Sequence, residues 1–235
     1  MLHLKLVFMA LLPVAILGSY IYHKDRYCPE PLKELAKALL LGVVSCFASL
    51  LISRPLGALG FYSDEIYTAF DAVRLSLFGA ALPEELAKLA MLWLMLRRSR
   101  HFDQTLDGIV YAVFISLGFA GLENIMYLAS NVHDYVSIGV MRGIFSVPGH
   151  FCFGVLMGYY YSLARFYGHN RRRNLCLALL VPVLVHAAYD AILFTASISD
   201  VGGLLFVILF IWFCHKLWKR ASHSIAEHIE RDKER

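Results

Sequence analysis

Apolar runs long enough to cross a lipid bilayer recur along the whole of this 235-residue chain. A membrane span needs about 20 consecutive apolar residues in a helix, because each residue advances the helix by about 1.5 Å. Hydrophobic residues make up 59% of the chain and charged residues 17%, whereas about a quarter of the residues in a soluble domain are charged. We therefore predict an all-α polytopic transmembrane helix bundle, with residues 1–220 forming one integral membrane domain.

The apolar segments define the predicted spans. They are Leu4–Tyr22, Lys37–Ser53, Ile66–Leu96, Leu106–Ala129, Ile138–Arg165, Leu175–Ala196 and Val201–Leu217. The first segment is interpreted as a retained span and not as a signal peptide, because no small-x-small cleavage site precedes the polar residues that follow it.

Basic residues are concentrated in alternate connections between these spans. They cluster in residues 23–37, 97–101 and 165–173 and in the tail after Leu217, whereas the intervening loops contain the single basic residue Arg54. The positive-inside rule places the basic segments in the cytoplasm. Residues 221–235 are then a charged cytoplasmic tail, predicted to be a solvated or membrane-surface helix.

The segment between residues 65 and 97 is too long for one straight span and too short for three. Asp71 and Arg74 lower the hydrophobicity of its first half, and Pro83 suits the first turn of a helix. This pattern predicts an interfacial or re-entrant helix over residues 66–81, followed by a spanning helix. The spanning helix begins at the segment Pro83–Lys88, which contains Glu84 and Glu85 and is called the glutamate motif below. The chain then crosses the cell membrane about seven times, with its N-terminus outside, or about eight times if residues 66–81 also span.

Six ionisable residues lie within these apolar segments, where such side chains are costly and mark a functional site by default. They are Glu84, Glu85, Glu123, His150, His186 and Asp190. Counting from the cytoplasmic ends of four different spans places Glu84, Glu123, His150 and His186 roughly 18 to 24 Å deep. Independent structural polar residues would have no reason to share a depth, so this layer is the candidate site.

The residue types in this layer are those that hold a metal and activate water. His186 and Asp190 are four residues apart and so share a helical face. They would either both ligate one ion, or Asp190 would hold the second nitrogen of His186; a hydrogen-bonded pair between helices without an ion is the alternative. Pro148 and Gly149 predict a kink before His150 that gives room to water or substrate.

The glutamate motif places two adjacent carboxylates one helical turn before Lys88. One of Glu84 and Glu85 can pair with Lys88 while the other faces elsewhere, and adjacent carboxylates in a low dielectric resist double ionisation. One of them is therefore suited to act as a general base. Glu123 has no basic residue near it in sequence, and Asp107 is expected to cap its helix at the cytoplasmic boundary.

Four motifs, in this order, resemble the PrsW family of intramembrane proteases, which is similar to the CAAX prenyl-protease superfamily. They are PEELAK, FDQTLDGIVYAVFISLGFAGLENIMYL, VPGHFCFGVLMGYYYSLARF and VHAAYD. The resemblance implies that Glu84 and Glu85 are the paired glutamates of the family, that His150 is its central histidine and that His186 is its C-terminal histidine. Lys88 takes the role of an arginine that the wider superfamily has one residue further on.

The resemblance also implies the activity and the partner. It predicts a membrane metalloprotease that makes the first, extracytoplasmic-side cut in a membrane-anchored protein such as a single-pass anti-sigma factor. A motif glutamate would take the proton from a water, and His150, His186 and Asp190, with Glu123, would hold a divalent ion such as zinc. In a metal-free scheme, Glu84 and His150 would activate water while His186 and Asp190 stabilise the oxyanion.

Two other classes of function remain open from the sequence. Intramembrane acids and histidines also form relays in proton- or ion-coupled transporters, although the chain shows no inverted repeats. A non-catalytic membrane sensor is the other alternative. A nucleic-acid partner is not expected, since the net charge of +4 reflects the short basic loops, and five cysteines without a C-x-x-C pattern argue against a disulfide framework.

Overall fold

The computed structural model describes residues 2–25, 28–198 and 203–233, and all regular structure in these ranges is helical. The α-helices are α1 (Leu2–Lys24), α2 (Leu32–Ala58), α3 (Ala69–Arg74), α4 (Leu82–Leu96), α5 (Thr105–Ser130), α6 (Tyr135–Met141), α7 (Val147–Phe166), α8 (Arg171–Ser197) and α9 (Gly203–Lys233). A π-helical segment, Leu75–Ala81, joins α3 to α4, and another, Arg142–Ser146, joins α6 to α7. The all-α prediction is confirmed, and the described cysteines are all free.

Five of the described helical stretches are long and apolar enough to cross a membrane. They are Leu4–Lys24, Leu32–Ala58, Thr105–Ser130, Tyr135–Phe166 and Arg171–Ser197, and each coincides with a predicted span. The predicted span Val201–Leu217 begins outside the described residues and continues into α9. The continuous helical run formed by α3 and α4 contains Glu84, Glu85 and Lys88, and these charges make it too polar to be counted with the five.

Helix α5 forms the centre of the bundle. In an 18-residue apolar stretch of α5, 78% of the residues are buried inside the bundle, against 22% in the corresponding stretch of α1. Glycines allow the neighbouring helices to approach α5 at backbone contact: a side chain at Gly42 of α2 would collide with the backbone of α5 near Gly118, and one at Gly158 of α7 would collide with Gly108. Small residues at crossings are the usual means of close packing between membrane helices. This close packing holds the side chains of α5 near those of α2 and α7.

The two π-helical segments lie immediately before the two central motifs. Leu82 donates its N–H to Leu77, and Val147 donates to Arg142, five residues back in both cases. Pro83 and Pro148 come next in sequence. Because proline lacks an N–H and its ring clashes with the carbonyl four residues back, the preceding turn widens. The predicted kink at Pro148 therefore takes the form of a π-helical turn.

The segment 66–96 forms one continuous helical path from Ala69 to Leu96, where the sequence suggested two successive helices. Thr68 and Asp71 form a reciprocal capping box at its start. The Arg74 guanidinium donates to the carbonyls of Phe61 and Gly60, which ties the start of this helix to the beginning of the α2–α3 connection. The wide turn at Leu75–Ala81 accommodates Pro83 without ending the helix.

The end of α9 packs against the bundle instead of lying free in solvent. The carboxylate of Asp232 accepts from the backbone N–H groups of Thr105 and Leu106 at 2.7 and 2.8 Å, and so it caps the N-terminus of α5. Asp107 accepts from the N–H of Gln104 at 2.6 Å, which confirms the predicted cap. His228 is fully buried. Segments that the charge pattern assigns to the cytoplasm thus meet at one end of the molecule.

Replacing Asp232 by alanine should loosen this end of the bundle. The substitution leaves the first N–H groups of α5 without an acceptor, which typically costs about 1 kcal/mol of stability. Thermal unfolding of the detergent-purified protein and limited proteolysis of the tail measure the effect. Glu230→Ala is the matched control, because Glu230 pairs with its neighbour Lys233 on the surface and is 67% exposed. Equal protease sensitivity of the two variants would contradict the capping role.

His228 should make docking of the tail sensitive to acid. Its Nε2–H donates to the Tyr159 carbonyl at 3.2 Å, and its buried Nδ1 has no partner among the described residues. Burial lowers the pKa of His228 to about 4, and nearby Arg231 acts in the same direction. The unfolded state therefore binds the proton more readily, and docking stability falls as the pH drops from 6.5 towards 4. By pH 5 the loss is about 2 kcal/mol.

The comparison that isolates His228 is the variant His228→Phe, which keeps a ring stacked on Tyr159 but does not titrate. Proteolysis of the tail should accelerate between pH 7 and pH 5 in the parent chain and change much less in the variant. The difference between the two chains is the relevant quantity, because burial raises the pKa of Asp25 to about 7 and this carboxyl contributes with the opposite sign. Parallel pH profiles would be inconsistent with a titrating His228.

Candidate active site

Lys88 occupies the centre of the polar layer. Its ammonium donates to Glu85 Oε1 at 2.8 Å and to Glu84 Oε2 at 3.4 Å, and it lies 3.0 Å from His150 Nδ1. It also lies 4.1 Å from the centre of the Phe119 ring, and its side chain is fully buried. An ammonium can only donate, so His150 Nδ1 accepts here and the proton of the neutral ring is on Nε2. The glutamate motif and the central histidine are thus joined through one lysine.

His150 is held on its other side by a carboxylate. Its Nε2 lies 3.1 Å from Glu123 Oε2, and that same oxygen accepts from the Arg142 guanidinium at 2.6 Å. Arg142 also donates to Asn124 Oδ1 at 2.6 Å, and it lies 3.9 Å from the centre of the Tyr127 ring. Glu123 is therefore fixed between an arginine and a histidine, and it sets the orientation of the imidazole.

His186 has the same arrangement on the opposite side of the layer. Its Nδ1 lies 2.9 Å from Glu85 Oε1, and its Nε2 lies 3.3 Å from Asp190 Oδ2. The ring stacks on Phe153 at a centroid distance of 4.5 Å. When the neutral ring carries its proton on Nε2, Nδ1 and Glu85 are two acceptors facing each other, so a cation between them would be favourable.

Four residues present donor atoms that all lie within 4.8 Å of one another: Glu84, Glu85, His150 and His186. Imidazole nitrogens and carboxylate oxygens are the ligands of catalytic zinc sites. Glu85 Oε2 is buried and has no hydrogen-bond partner among the described residues, so it remains available to an ion. This chemistry fits a divalent metal, and a metal bound to His150 Nδ1 would replace the Lys88 ammonium at that nitrogen.

The structure brings together all six ionisable residues that the sequence singled out, but in two shells. Glu84, Glu85, His150 and His186 form the central group. Glu123 and Asp190, which the sequence analysis assigned to the metal, each lie behind a histidine on the side away from this group. The 3.3 Å contact between His186 Nε2 and Asp190 Oδ2 disfavours shared ligation of one ion by this pair. It matches the arrangement in which Asp190 holds the second nitrogen, and a hydrogen-bonded pair without an ion has the same contact.

Arg142 is the residue that the sequence analysis did not identify. It lies in the segment Ile138–Arg165, and its side chain is 16% exposed beside Glu123. The rule that singled out the other polar residues, an ionisable group within an apolar stretch, applies equally to this arginine. Arg142 also supplies the positive charge that Glu123 lacks among its neighbours in sequence.

The comparisons with known proteins agree with this geometry. A model of the PrsW family of intramembrane metalloproteases matches residues 30–214. The chain belongs to this family. It is 35% identical over 229 residues to a protein named Protease PrsW from Clostridioides difficile strain 630, covering 94% of this chain and 93% of that protein. The resemblance predicted from the four motifs is thus confirmed.

Other relatives show the same extent of similarity. Proteins with the same name from Geobacillus kaustophilus and Bacillus subtilis are each 34% identical, over 209 and 210 residues; this covers 89% of this chain in both cases and 88% and 92% of the relatives. No solved structure matches the chain. The family model and these relatives identify the chain as a membrane-embedded peptidase.

Lys88→Met should strongly destabilise the fold, because it leaves two buried carboxylates without their cation. Breaking a buried ion pair on one side costs about 3–5 kcal/mol. The double variant Lys88→Met/Glu85→Gln removes one of the uncompensated charges and should recover much of the loss. Unfolding in detergent under metal-free conditions measures both variants.

The control for this prediction is Lys37→Met. Lys37 pairs with Glu34 at 3.5 Å on the surface and is 58% exposed, so the substitution should cost less than about 1 kcal/mol. A Lys88→Met variant as stable as Lys37→Met would show that the ammonium does not hold the centre together.

Proposed function

We propose that this peptidase hydrolyses a peptide bond of a membrane-anchored protein substrate near the extracytoplasmic side of the cell membrane. The resemblance suggests an anti-sigma factor, for which this would be the first cut of regulated proteolysis. The observation that carries the proposal is the pair of imidazoles whose Nδ1 atoms face a common centre while Glu123 and Asp190 hold their Nε2 atoms. A histidine held in this way by an outer carboxylate is the usual arrangement of a metal ligand.

The metal in this proposal is zinc. His150 and His186 would bind it through Nδ1, and a carboxylate oxygen of Glu85 would complete a three-residue ligand set of the kind that leaves one position for water. Bound zinc would lower the pKa of water and polarise the scissile carbonyl. Glu123 and Asp190 act as positioning residues, because they hold the two rings in the orientation that directs Nδ1 to the centre.

Glu84 is the better placed of the two glutamates to act as general base. Its side chain is 13% exposed and its contact with Lys88 is long at 3.4 Å, whereas Glu85 is fully buried and bound to both Lys88 and His186. A base must reach water and must release a proton again to the leaving amine. Glu84 would take the proton of the attacking water and pass it to the amine nitrogen as the peptide bond breaks.

The remaining charges shape the surroundings of this chemistry. Lys88 keeps a positive charge beside Glu84 and Glu85, which limits their mutual repulsion. Phe119 and Phe153 lie against the two imidazoles and exclude bulk water from this side of the site. Electrostatic interactions between charged groups are stronger where water is excluded.

We also propose about seven crossings, with the N-terminus outside, on the basis of the positive-inside rule. The α3–α4 run would count as one crossing, with Ala69–Arg74 as an interfacial start. In support, Asp71 and Arg74 are partly exposed at this start. The segments 97–104 and 167–170 lie at the same end of the bundle as the C-terminal part of α9.

The test is cleavage of a tagged single-pass substrate by the full chain reconstituted in lipid vesicles. Glu84→Gln should lower the rate by about a hundredfold or more, the size of a lost general base. His150→Ala and His186→Ala should each abolish cleavage and weaken zinc binding. Glu123→Gln and Asp190→Asn should each cost about 10- to 100-fold in metal affinity or rate. Glu230→Gln, an exposed carboxyl outside the site, is the control and should remain active.

The metal is tested on the same preparation. The parent chain should contain about one zinc per molecule, lose activity to a strong chelator and regain it with zinc. Full activity in a verified metal-free preparation would remove zinc from the mechanism. Normal cleavage by Glu84→Gln would exclude Glu84 as the base.

A further inference from the structure

A cavity of about 380 Å³ lies at the opposite end of the bundle from the candidate active site, where α4 ends, α7 ends and α8 begins. Residues of all three helices line it, among them Trp93, Arg97, Phe102, Arg165, Arg171 and Leu175. The positive-inside rule assigns this end to the cytoplasm. The cavity therefore lies at the level of the cytoplasmic leaflet of the membrane.

The arginines that line this cavity are not engaged in ion pairs. Within the described residues, no carboxylate lies within salt-bridge distance of Arg97, Arg165 or Arg171. The Arg97 guanidinium lies over the Trp93 ring, 4.7 Å from its centre. Guanidinium groups favour phosphate because their N–H groups match its oxygens in bidentate pairs. The positive charges of these three arginines therefore favour the binding of an anion in the cavity.

The rest of the lining is apolar. Leu96, Phe102 and Tyr161 are buried and line the same cavity. Trp93 is 51% exposed and Leu175 is 37% exposed, on helices that the proposed topology places in the bilayer. A free phosphate ion would use only the arginines, whereas a phospholipid would place its phosphate between them and its acyl chain along the apolar residues.

We propose that this cavity binds the phosphate group of an anionic phospholipid from the cytoplasmic leaflet. Basic pockets between transmembrane helices on the cytoplasmic side are suited to such head groups. The cavity joins α4, which carries the glutamate motif, to α7 and α8, which carry His150 and His186. The bound lipid links the cytoplasmic ends of the three helices that build the active site.

The experiment is native mass spectrometry of the full chain, purified in detergent and stripped of lipid, with dioleoyl phosphatidylglycerol added. The pocket variant is Arg97→Gln/Arg165→Gln/Arg171→Gln. The matched control is Arg98→Gln/Arg172→Gln/Arg173→Gln, which removes the same charge from adjacent positions that do not line the cavity. The pocket variant should lose at least about tenfold in affinity, while the control stays within about threefold of the parent chain.

Two further arms identify the ligand. Dioleoyl phosphatidylcholine should bind at least about tenfold more weakly than phosphatidylglycerol, because it carries no net charge. Inorganic phosphate at millimolar concentration should not displace the bound lipid. Equal losses in the pocket variant and the control would reduce the effect to the general positive charge of this face and overturn the proposal. Equal binding of both lipids, or full displacement by phosphate, would also overturn it.

A second variant separates binding from folding. Trp93→Ala keeps the three arginines but removes the ring beneath Arg97 and the exposed apolar wall, so it should weaken phosphatidylglycerol binding by several-fold. Because it leaves every ion pair of the active site in place, its thermal unfolding in detergent should remain close to that of the parent chain. Unchanged lipid binding by Trp93→Ala, together with unchanged binding by the triple pocket variant, would contradict the site.

Discussion

The structure depends on a buried cation, Lys88, in a low-dielectric environment. Lys88 is fully buried, and its charge is balanced by Glu84 and Glu85, one turn before it on α4. Those carboxylates and the lysine then bind His150 and His186 from two other helices. A buried charge without a partner is so unfavourable in this environment that each of these side chains restricts the position of its partner. The charged centre thus makes the positions of α4, α7 and α8 interdependent.

The backbone brings these groups together through close packing and widened turns. Gly118 and Gly158 allow α2 and α7 to lie against α5 at backbone contact, which places Glu123 of α5 beside His150 of α7. The π-helical turns before Pro83 and Pro148 let both helices continue through residues that would otherwise break them. These widened turns therefore contribute both to the geometry of the candidate active site and to the continuity of the two helices.

Much of this architecture follows from the sequence. Hydropathy predicted the five spans that length and composition support, and helix rise predicted that Glu84, Glu123, His150 and His186 would meet. Sequence alone does not decide which groups are central, because the i,i+4 spacing of His186 and Asp190 allows either one shared ion or an outer carboxylate. Arg142 and the docked end of α9 depend on contacts between residues distant in sequence, which no local pattern specifies.

The proposed zinc site requires that His150 and His186 direct their Nδ1 atoms to one metal ion. X-ray absorption spectroscopy at the zinc edge of the zinc-loaded protein tests this claim most directly. A zinc ion held by both rings should show a first shell of nitrogen and oxygen at about 2.0 Å. Imidazole scattering from two rings should fall to one ring in His150→Ala or His186→Ala, measured at a zinc concentration that saturates the variant. Imidazole scattering that is absent, or that neither substitution changes, would contradict it.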